Sequence, residues 1–223
     1  MKKFILNLFV IAMSVLLISG ISTAEKKFSF GYYYGINKNS VSVENEKNIT
    51  IEGRYTSEYG VGVQYIIRPY NYKIGINLEV ALRDMKSAIR ETLQNSYIYY
   101  KDWWSADFIA ISIIGKYYPI RVTTIEDFGI EPFLGFGISP QISTGGSEKS
   151  DNYNSSFTCL VFGISIGIGA KIELAKGFSI EPELRCQLNL NSAIELTPTF
   201  ILGESNSIRY NNLLILFPIK ISP

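Results

Sequence analysis

Between Phe178 and Leu190 oily and polar residues alternate without a slip. Phe178, Ile180, Pro182, Leu184, Cys186, Leu188 and Leu190 hold one phase, and Ser179, Glu181, Glu183, Arg185, Gln187 and Asn189 hold the other. A period of two fits a strand and not a helix, because successive strand side chains point to opposite faces. The same period recurs from residue 28 to the end. Its apolar phase passes through Phe28 to Ile36, Ile49 to Ile67, Ile74 to Leu82, Ile130 to Ile138, Phe162 to Leu174 and Leu213 to Ile221. A further run, Trp103 to Tyr118, is blurred by Ile114, which shares the polar phase with Ser112 and Lys116. Helical periodicity is confined to about Met85 to Leu93. The pattern predicts an all-β chain with eight strands.

The connections alternate in length. Short ones fall at 68–71, 119–127 and 175–177, and long polar ones at about 38–48, 85–102, 143–156 and 192–210. An even strand count with one trimmed rim and one elaborated rim is expected of an antiparallel up-and-down transmembrane β-barrel. Around the tightest connection the apolar positions are even-numbered on both sides, so facing residues have an even sum. That selects a three-residue loop, Ala175-Lys176-Gly177, with glycine at its left-handed end. Leu174 then faces Phe178, Lys171 faces Glu181, and Gly167 faces Arg185.

Alternation alone does not say which face meets water; the polar phase supplies the argument. It carries Gly31, Gly35, Gly60, Gly62, Gly75, Gly135, Gly137, Gly163, Gly167 and Gly169. Glycine weakens a strand and calls for a steric reason. The interior of an eight-stranded barrel is only wide enough for side chains to fill it, which supplies one. The same phase holds Glu79, Glu131, Glu173, Glu181 and Glu183 beside Arg83, Lys116, Lys171, Arg185 and Lys220. Enclosed charges must be paired, and here the signs nearly balance. The oily phase therefore faces lipid and the polar phase fills the barrel. The alternative is a soluble calyx, with oil inside and a lipophilic ligand at its mouth. Tyr97, Tyr99, Tyr100, Trp103 and Trp104 cluster at one end of the fourth run, with Tyr117 and Tyr118 at the other. They suit the aromatic girdles of a membrane interface; a ligand-binding aromatic patch is the other reading.

Other classes fall away on composition. A formal net charge of +1 without runs of like charge removes the footprint of a nucleic-acid binder. The first residues, Lys2-Lys3, an apolar stretch from Phe4 to Ile18 and Ser22-Thr23-Ala24, read as a secretory signal over 1–24, leaving a barrel domain over 25–223. Cys159 and Cys186 sit in opposite phases, so free thiols are expected. The chain contains no histidine, which removes the usual general base and the usual zinc ligands. No cofactor, metal site or catalytic group is expected.

The segments "SEYGVGVQY", "FIAISIIGKYYP", "IEPFLGFGIS" and "FGISIGIGAKIELAKGFSIEPELR" resemble the bacterial outer-membrane β-barrel family of small OmpA/OmpX-like and porin-family proteins, over nearly all of the chain after residue 24. The resemblance implies location in the outer membrane of a diderm bacterium, with outer-membrane lipid and the barrel-assembly machinery as partners. It implies roles in envelope integrity, adhesion or small-solute passage. Members usually end in an aromatic residue, whereas the last aromatic here is Phe217. The expectation is a non-enzymatic envelope protein, structural or adhesin-like, with long loops that carry any extracellular ligand. The rivals are a porin-like passage, a soluble lipocalin-like barrel and, weakest for want of histidine, a lipid-modifying enzyme.

Overall fold

The computed structural model describes residues 28–44, 50–67, 73–92, 98–119, 122–125, 128–149, 153–198 and 206–222. The signal segment 1–24 and Tyr97 lie outside them. Thirteen strands form one antiparallel sheet: β1 (Phe28–Glu44), β2 (Thr50–Gly53), β3 (Tyr55–Ile67), β4 (Lys73–Thr92), β5 (Ile98–Tyr118), β6 (Val122–Ile125), β7 (Phe128–Lys149), β8 (Tyr153–Phe157), β9 (Leu160–Ala175), β10 (Phe178–Ile180), β11 (Glu183–Asn189), β12 (Ile194–Pro198) and β13 (Asn206–Ile221). The order β1-β3-β4-β5-β7-β9-β10-β13 closes on itself because β1 also pairs with β13, from Phe30↔Ile221 to Glu44↔Ser207. The eight staves of this ring are β1, β2 with β3, β4, β5, β7, β9, β10 with β11, and β13. Closure leaves the wall no edge, the condition for a sheet to stand in lipid.

Two staves are broken. A one-residue break at Arg54 separates β2 from β3, and Arg54 N–H still donates to the Lys86 carbonyl (3.0 Å). Pro182 interrupts the seventh stave, which stays tied at the break because Glu181 N–H donates to the Pro218 carbonyl (2.8 Å) and the Pro182 carbonyl accepts from Ala170 N–H (3.2 Å). The tight connection differs at its tip from the parity argument. Phe178 faces Ala175 rather than Leu174, and the register then shifts so that Ser179 faces Glu173 and Ile180 faces Ile172. Gly177, at φ 81°, makes this possible. A turn through Lys176-Gly177 followed by a bulge restores the even sum, and Arg185 faces Gly167 as expected.

At the lower end, where the short turns lie, the oily phase points outward. Tyr32, Tyr34, Ile36, Ile76, Leu78, Ile113, Leu134, Phe136, Ile138, Phe162, Ile166, Ile168, Leu184, Leu188, Leu213, Ile215 and Phe217 are all exposed, while Glu79, Arg83, Lys116, Glu131, Glu181, Glu183 and Arg185 are buried. On six of the eight staves the outward oil gives way to a polar residue at a recognisable height. Ile36 gives way to Lys38 on β1, Tyr59 to Ser57 on β3, Leu82 to Asp84 on β4, Ile109 to Asp107 on β5, Ile142 to Thr144 on β7, and Leu213 to Asn211 on β13.

Above that height the inside changes as well. Met85, Trp104, Ala106, Phe108, Val161, Ala193, Ile194, Ile208 and Tyr210 form a buried apolar cluster, with Val41 and Phe157 packed against it. The polarity of the wall is thus inverted: polar inside and oily outside below, oily inside and polar outside above. Lipid selects the first arrangement and water the second. A membrane-spanning strand needs about 9–11 residues, whereas β4, β5 and β7 run for 20, 21 and 22. The surplus builds a collar standing above the membrane band.

The collar corrects three expectations. The segment Met85 to Leu93, read as helical, is the upper part of β4 as far as Thr92; its apolar spacing reflects the inverted face. The long polar connections are largely strand, since β1, β4, β5, β7 and β13 extend into them and β8 and β12 lie within them. Trp104 is not interfacial: it is fully buried in the collar cluster, because its inward phase is apolar at that height. With Trp103 replaced by phenylalanine, Trp104 is the sole tryptophan. Lipids brominated along their acyl chains are then expected to leave its fluorescence essentially unchanged; strong quenching would place it in lipid.

Candidate functional site

The barrel interior gathers a network of charged side chains, because the alternation delivers one inward side chain from every second residue of each stave. In the middle layer, Arg83 from β4 meets Glu58 from β3, its neighbour in register. Arg83 Nε donates to Glu58 Oε2 (2.6 Å) and Nη2 to Oε1 (3.0 Å), a two-pronged pair. The remaining prong, Nη1, donates to Gln141 Oε1 (3.1 Å) and Gln187 Oε1 (2.7 Å), and Tyr33 OH donates to Glu58 Oε1 (3.2 Å). Gln141 and Gln187 both donate to Asn189 Oδ1, at 2.8 and 2.9 Å. Four staves are cross-linked through one guanidinium, and β1 joins them through Tyr33 on Glu58.

One layer lower, Arg185 from β11 reaches across the barrel to Glu79 on β4, at 2.7 Å (Nη1–Oε2) and 3.1 Å (Nη2–Oε1), while its Nε donates to Glu183 Oε1 (2.7 Å). Lys116 Nζ is paired with Glu183 Oε2 (2.7 Å) and Glu181 Oε2 (3.1 Å) and lies 4.1 Å from the centre of the Phe133 ring. Glu181 Oε2 also accepts from Lys220 Nζ (2.7 Å), and Gln64 donates to Tyr118 OH (2.7 Å) beside it. At the lower mouth Lys73 is bound to Glu131, and Lys171 to Glu173 (2.7 Å).

All ten charged residues expected in the interior take part in these pairs, but not always with the partner the sequence suggested. Lys171 holds Glu173 on its own strand rather than Glu181, because Lys116 and Lys220 already flank the Glu181 carboxylate. Two members were missed. Glu58 stood in the polar phase of its run, and Lys73 shares the phase of Gly75; either could have been found by extending the charge count along those phases. With them, the described ion pairs join six carboxylates (Glu58, Glu79, Glu131, Glu173, Glu181, Glu183) to six cations (Lys73, Arg83, Lys116, Lys171, Arg185, Lys220).

Glycine makes the room for this. A Cβ on Gly60 would lie 2.4 Å from the Tyr33 ring, and one on Gly167 would lie 2.6 Å from Glu183 Oε1. Tyr118, expected at an interface, points inward and is buried, whereas Tyr117 faces outward. Tyr99, Tyr100 and Trp103 lie on β5 opposite Glu91, Arg90 and Ala88. Both cysteines are free and exposed. Among the described residues no group of histidine, cysteine or carboxylate side chains has the arrangement of a metal site. The carboxylates are each engaged by a cation, so what the arrangement does chemically is neutralise and cross-link.

Loss of one member should therefore be costly. Arg83→Met leaves Glu58 buried without its counter-charge and is expected to destabilise the barrel by about 3–5 kcal/mol, read from urea unfolding in lipid vesicles. Pairing it with Glu58→Leu should recover much of that loss; equal stability of the Arg83→Met protein and the unmutated protein would contradict the pairing.

No family model matches the chain, and no curated protein matches it. Solved structures do. The outer membrane protein OprG from Pseudomonas aeruginosa superimposes with a TM-score of 0.61 at 10% identity, over 88% of this chain and 96% of that one. Neisserial surface protein A gives a TM-score of 0.46 at 11% identity, over 91% of this chain and 100% of that one. At such identities the likeness to OprG speaks for the fold: this chain has the closed antiparallel fold of small bacterial outer-membrane β-barrel proteins.

Proposed function

We infer that the chain is an outer-membrane barrel without enzymatic activity, closed along its axis by its own side chains, which presents the folded collar outside the cell. Its role is structural or adhesin-like. Export through residues 1–24, insertion by the barrel-assembly machinery and residence in the outer membrane of a diderm bacterium belong to this reading.

The observation that carries it is the plugged interior. The ion-pair layers fill the lower half, a small apolar cluster of Tyr33, Ala81, Ala110, Leu214 and Leu216 lies inside beside them, and the collar cluster fills the upper half. A solute would have to break desolvated ion pairs and then cross an apolar plug. The paired carboxylates also leave no unengaged acid–base group among the described interior pairs, in keeping with a non-catalytic role. Exposure of the oily face on every stave tells against a soluble calyx, which would keep that face inside.

A passage for small solutes is the second reading. In its favour is a cavity lined by Gly31, Tyr33, Gly62, Val63, Asn77, Glu79, Pro218 and Lys220, but at about 10 Å³ it has room for roughly one water. In planar lipid bilayers, protein whose insertion is verified by protease protection should give no discrete current steps. Regular unitary steps from the inserted barrel would replace the plugged reading with a pore.

A further inference from the structure

Midway up the barrel, four adjacent staves carry a row of polar side chains in register. Asn39 of β1 faces Asn212 of β13, Asn212 faces Gln187 of β11, and Gln187 faces Ser165 of β9. All four lie on the inward phase and are buried, as are Asn37 below Asn39 on β1 and Asn189 above Gln187 on β11. Gln187 is engaged: it accepts from Arg83 Nη1 and donates to Asn189 Oδ1. Its neighbours are not. Both polar atoms of Asn37, Asn39 and Asn212, Oγ of Ser165 and Nδ2 of Asn189 have no hydrogen-bond partner among the described residues, although Asn37, Asn39, Asn212 and Ser165 are each 2% exposed or less. The row ends at Gly137 of β7, which faces Ser165 and offers it no side chain.

A buried donor or acceptor without a partner forfeits the hydrogen bonds it had in water, and folded interiors leave few such groups. Their concentration on four adjacent staves calls for a guest that both donates and accepts. The surroundings define its class. Arg83 and Glu58 neutralise each other beside the row, so no net charge there asks for a counter-ion. Above it lie Val161, Ile208 and Tyr210 of the collar cluster, and below it Leu214 and the Arg185 pairs, so the guest must be small and uncharged. Water meets both conditions, since a buried molecule typically makes about three hydrogen bonds to groups of this kind. We propose that the row binds a cluster of ordered water molecules, which bridges β1, β13, β11 and β9 through Asn37, Asn39, Asn212, Asn189 and Ser165. Outside, this is the height at which Ile36 gives way to Lys38 and Leu213 to Asn211. The cluster forms a hydrated layer between the ion-pair plug and the apolar collar, closed at both faces. The proposal rests on the plugged reading of the interior.

The test places the full barrel, carrying isotope-labelled asparagine, in nanodiscs and records magnetisation transfer between the side-chain amide protons and the water resonance. Asn37, Asn39 and Asn212 should each show a rotating-frame cross-peak with the sign of dipolar contact, opposite to that of proton exchange, and a laboratory-frame peak with the sign of long-held water. Asn212→Leu removes the centre of the row and should abolish the Asn39 water peak, whereas Asn212→Ser, which keeps a donor and an acceptor, should retain it. Heat-shifted gel mobility checks that each variant is folded; should the leucine variant not fold, the unmutated barrel carries the test alone. The peaks should also survive Tyr210→Phe, which removes the hydroxyl above Asn212; their loss there would assign them to that hydroxyl and overturn the proposal. An Asn39 water peak undiminished in folded Asn212→Leu would overturn the bridge. Cross-peaks between the Asn39 and Asn212 amides with none to water would overturn the proposal and leave the plug standing, dry. Water peaks with the sign of freely diffusing molecules would overturn it together with the plugged reading, because water would then pass through this level.

Discussion

Hydrocarbon offers no hydrogen bonds, so a wall standing in it must satisfy its backbone within itself and turn its charges away. Closure of β1 on β13 meets the first demand, and the inward phase of the eight staves meets the second. The enclosed charges then face a second constraint, since a buried ion without a partner is far more costly than a buried pair. A lumen bounded by eight staves is narrow, so the partners must come from nearly every stave. The result is the two stacked guanidinium hubs at Arg83 and Arg185, with Lys116 and Glu181 beneath them. Some of the glycines follow from the same narrowness: Gly60 and Gly167 give up a side chain where the Tyr33 ring and the Glu183 carboxylate already occupy the space.

The collar obeys the opposite rule with the same chain. On β4 the inward phase reads Glu79, Ala81, Arg83 and then Met85; on β5, going up, it reads Lys116, Ile114, Ser112, Ala110 and then Phe108, Ala106 and Trp104. On these two strands no change of phase is needed, only a change of solvent outside. Once water bathes the outer face, apolar burial becomes favourable within, and the strands can continue as an ordinary two-solvent sheet. This turns what would be loose loops into a folded platform.

Much of the lower barrel could be read from the sequence because period-two alternation, glycine placement and charge balance all pointed the same way. The pairing of Gly167 with Arg185 followed from parity together with a short connection. Finer pairings did not, because Lys171, Lys116 and Lys220 are all close enough in phase to claim Glu181, and only three-dimensional packing decides among them. The collar was misread for a physical reason. Its polar residues face outward and its apolar ones inward, so its composition looks like that of a polar loop, and the bulges near Arg54 and Thr144 interrupt the period where the solvent changes. Trp104 was assigned to an interface by the clustering of aromatics; its inward phase was the better guide.

Two native thiols sit on either side of the inferred membrane boundary and offer the most direct test of it. Cys186 points outward between Leu184 and Leu188 within the oily band, and Cys159 lies just above Leu160, at the collar; both are exposed. With the barrel in nanodiscs, where both faces of the bilayer are open to reagent, a charged membrane-impermeant maleimide should modify Cys159 and spare Cys186 until the protein is unfolded. Equal, rapid modification of both thiols in the folded barrel would mean that water bathes the oily face, and would contradict the inversion of polarity on which the structure's membrane placement depends.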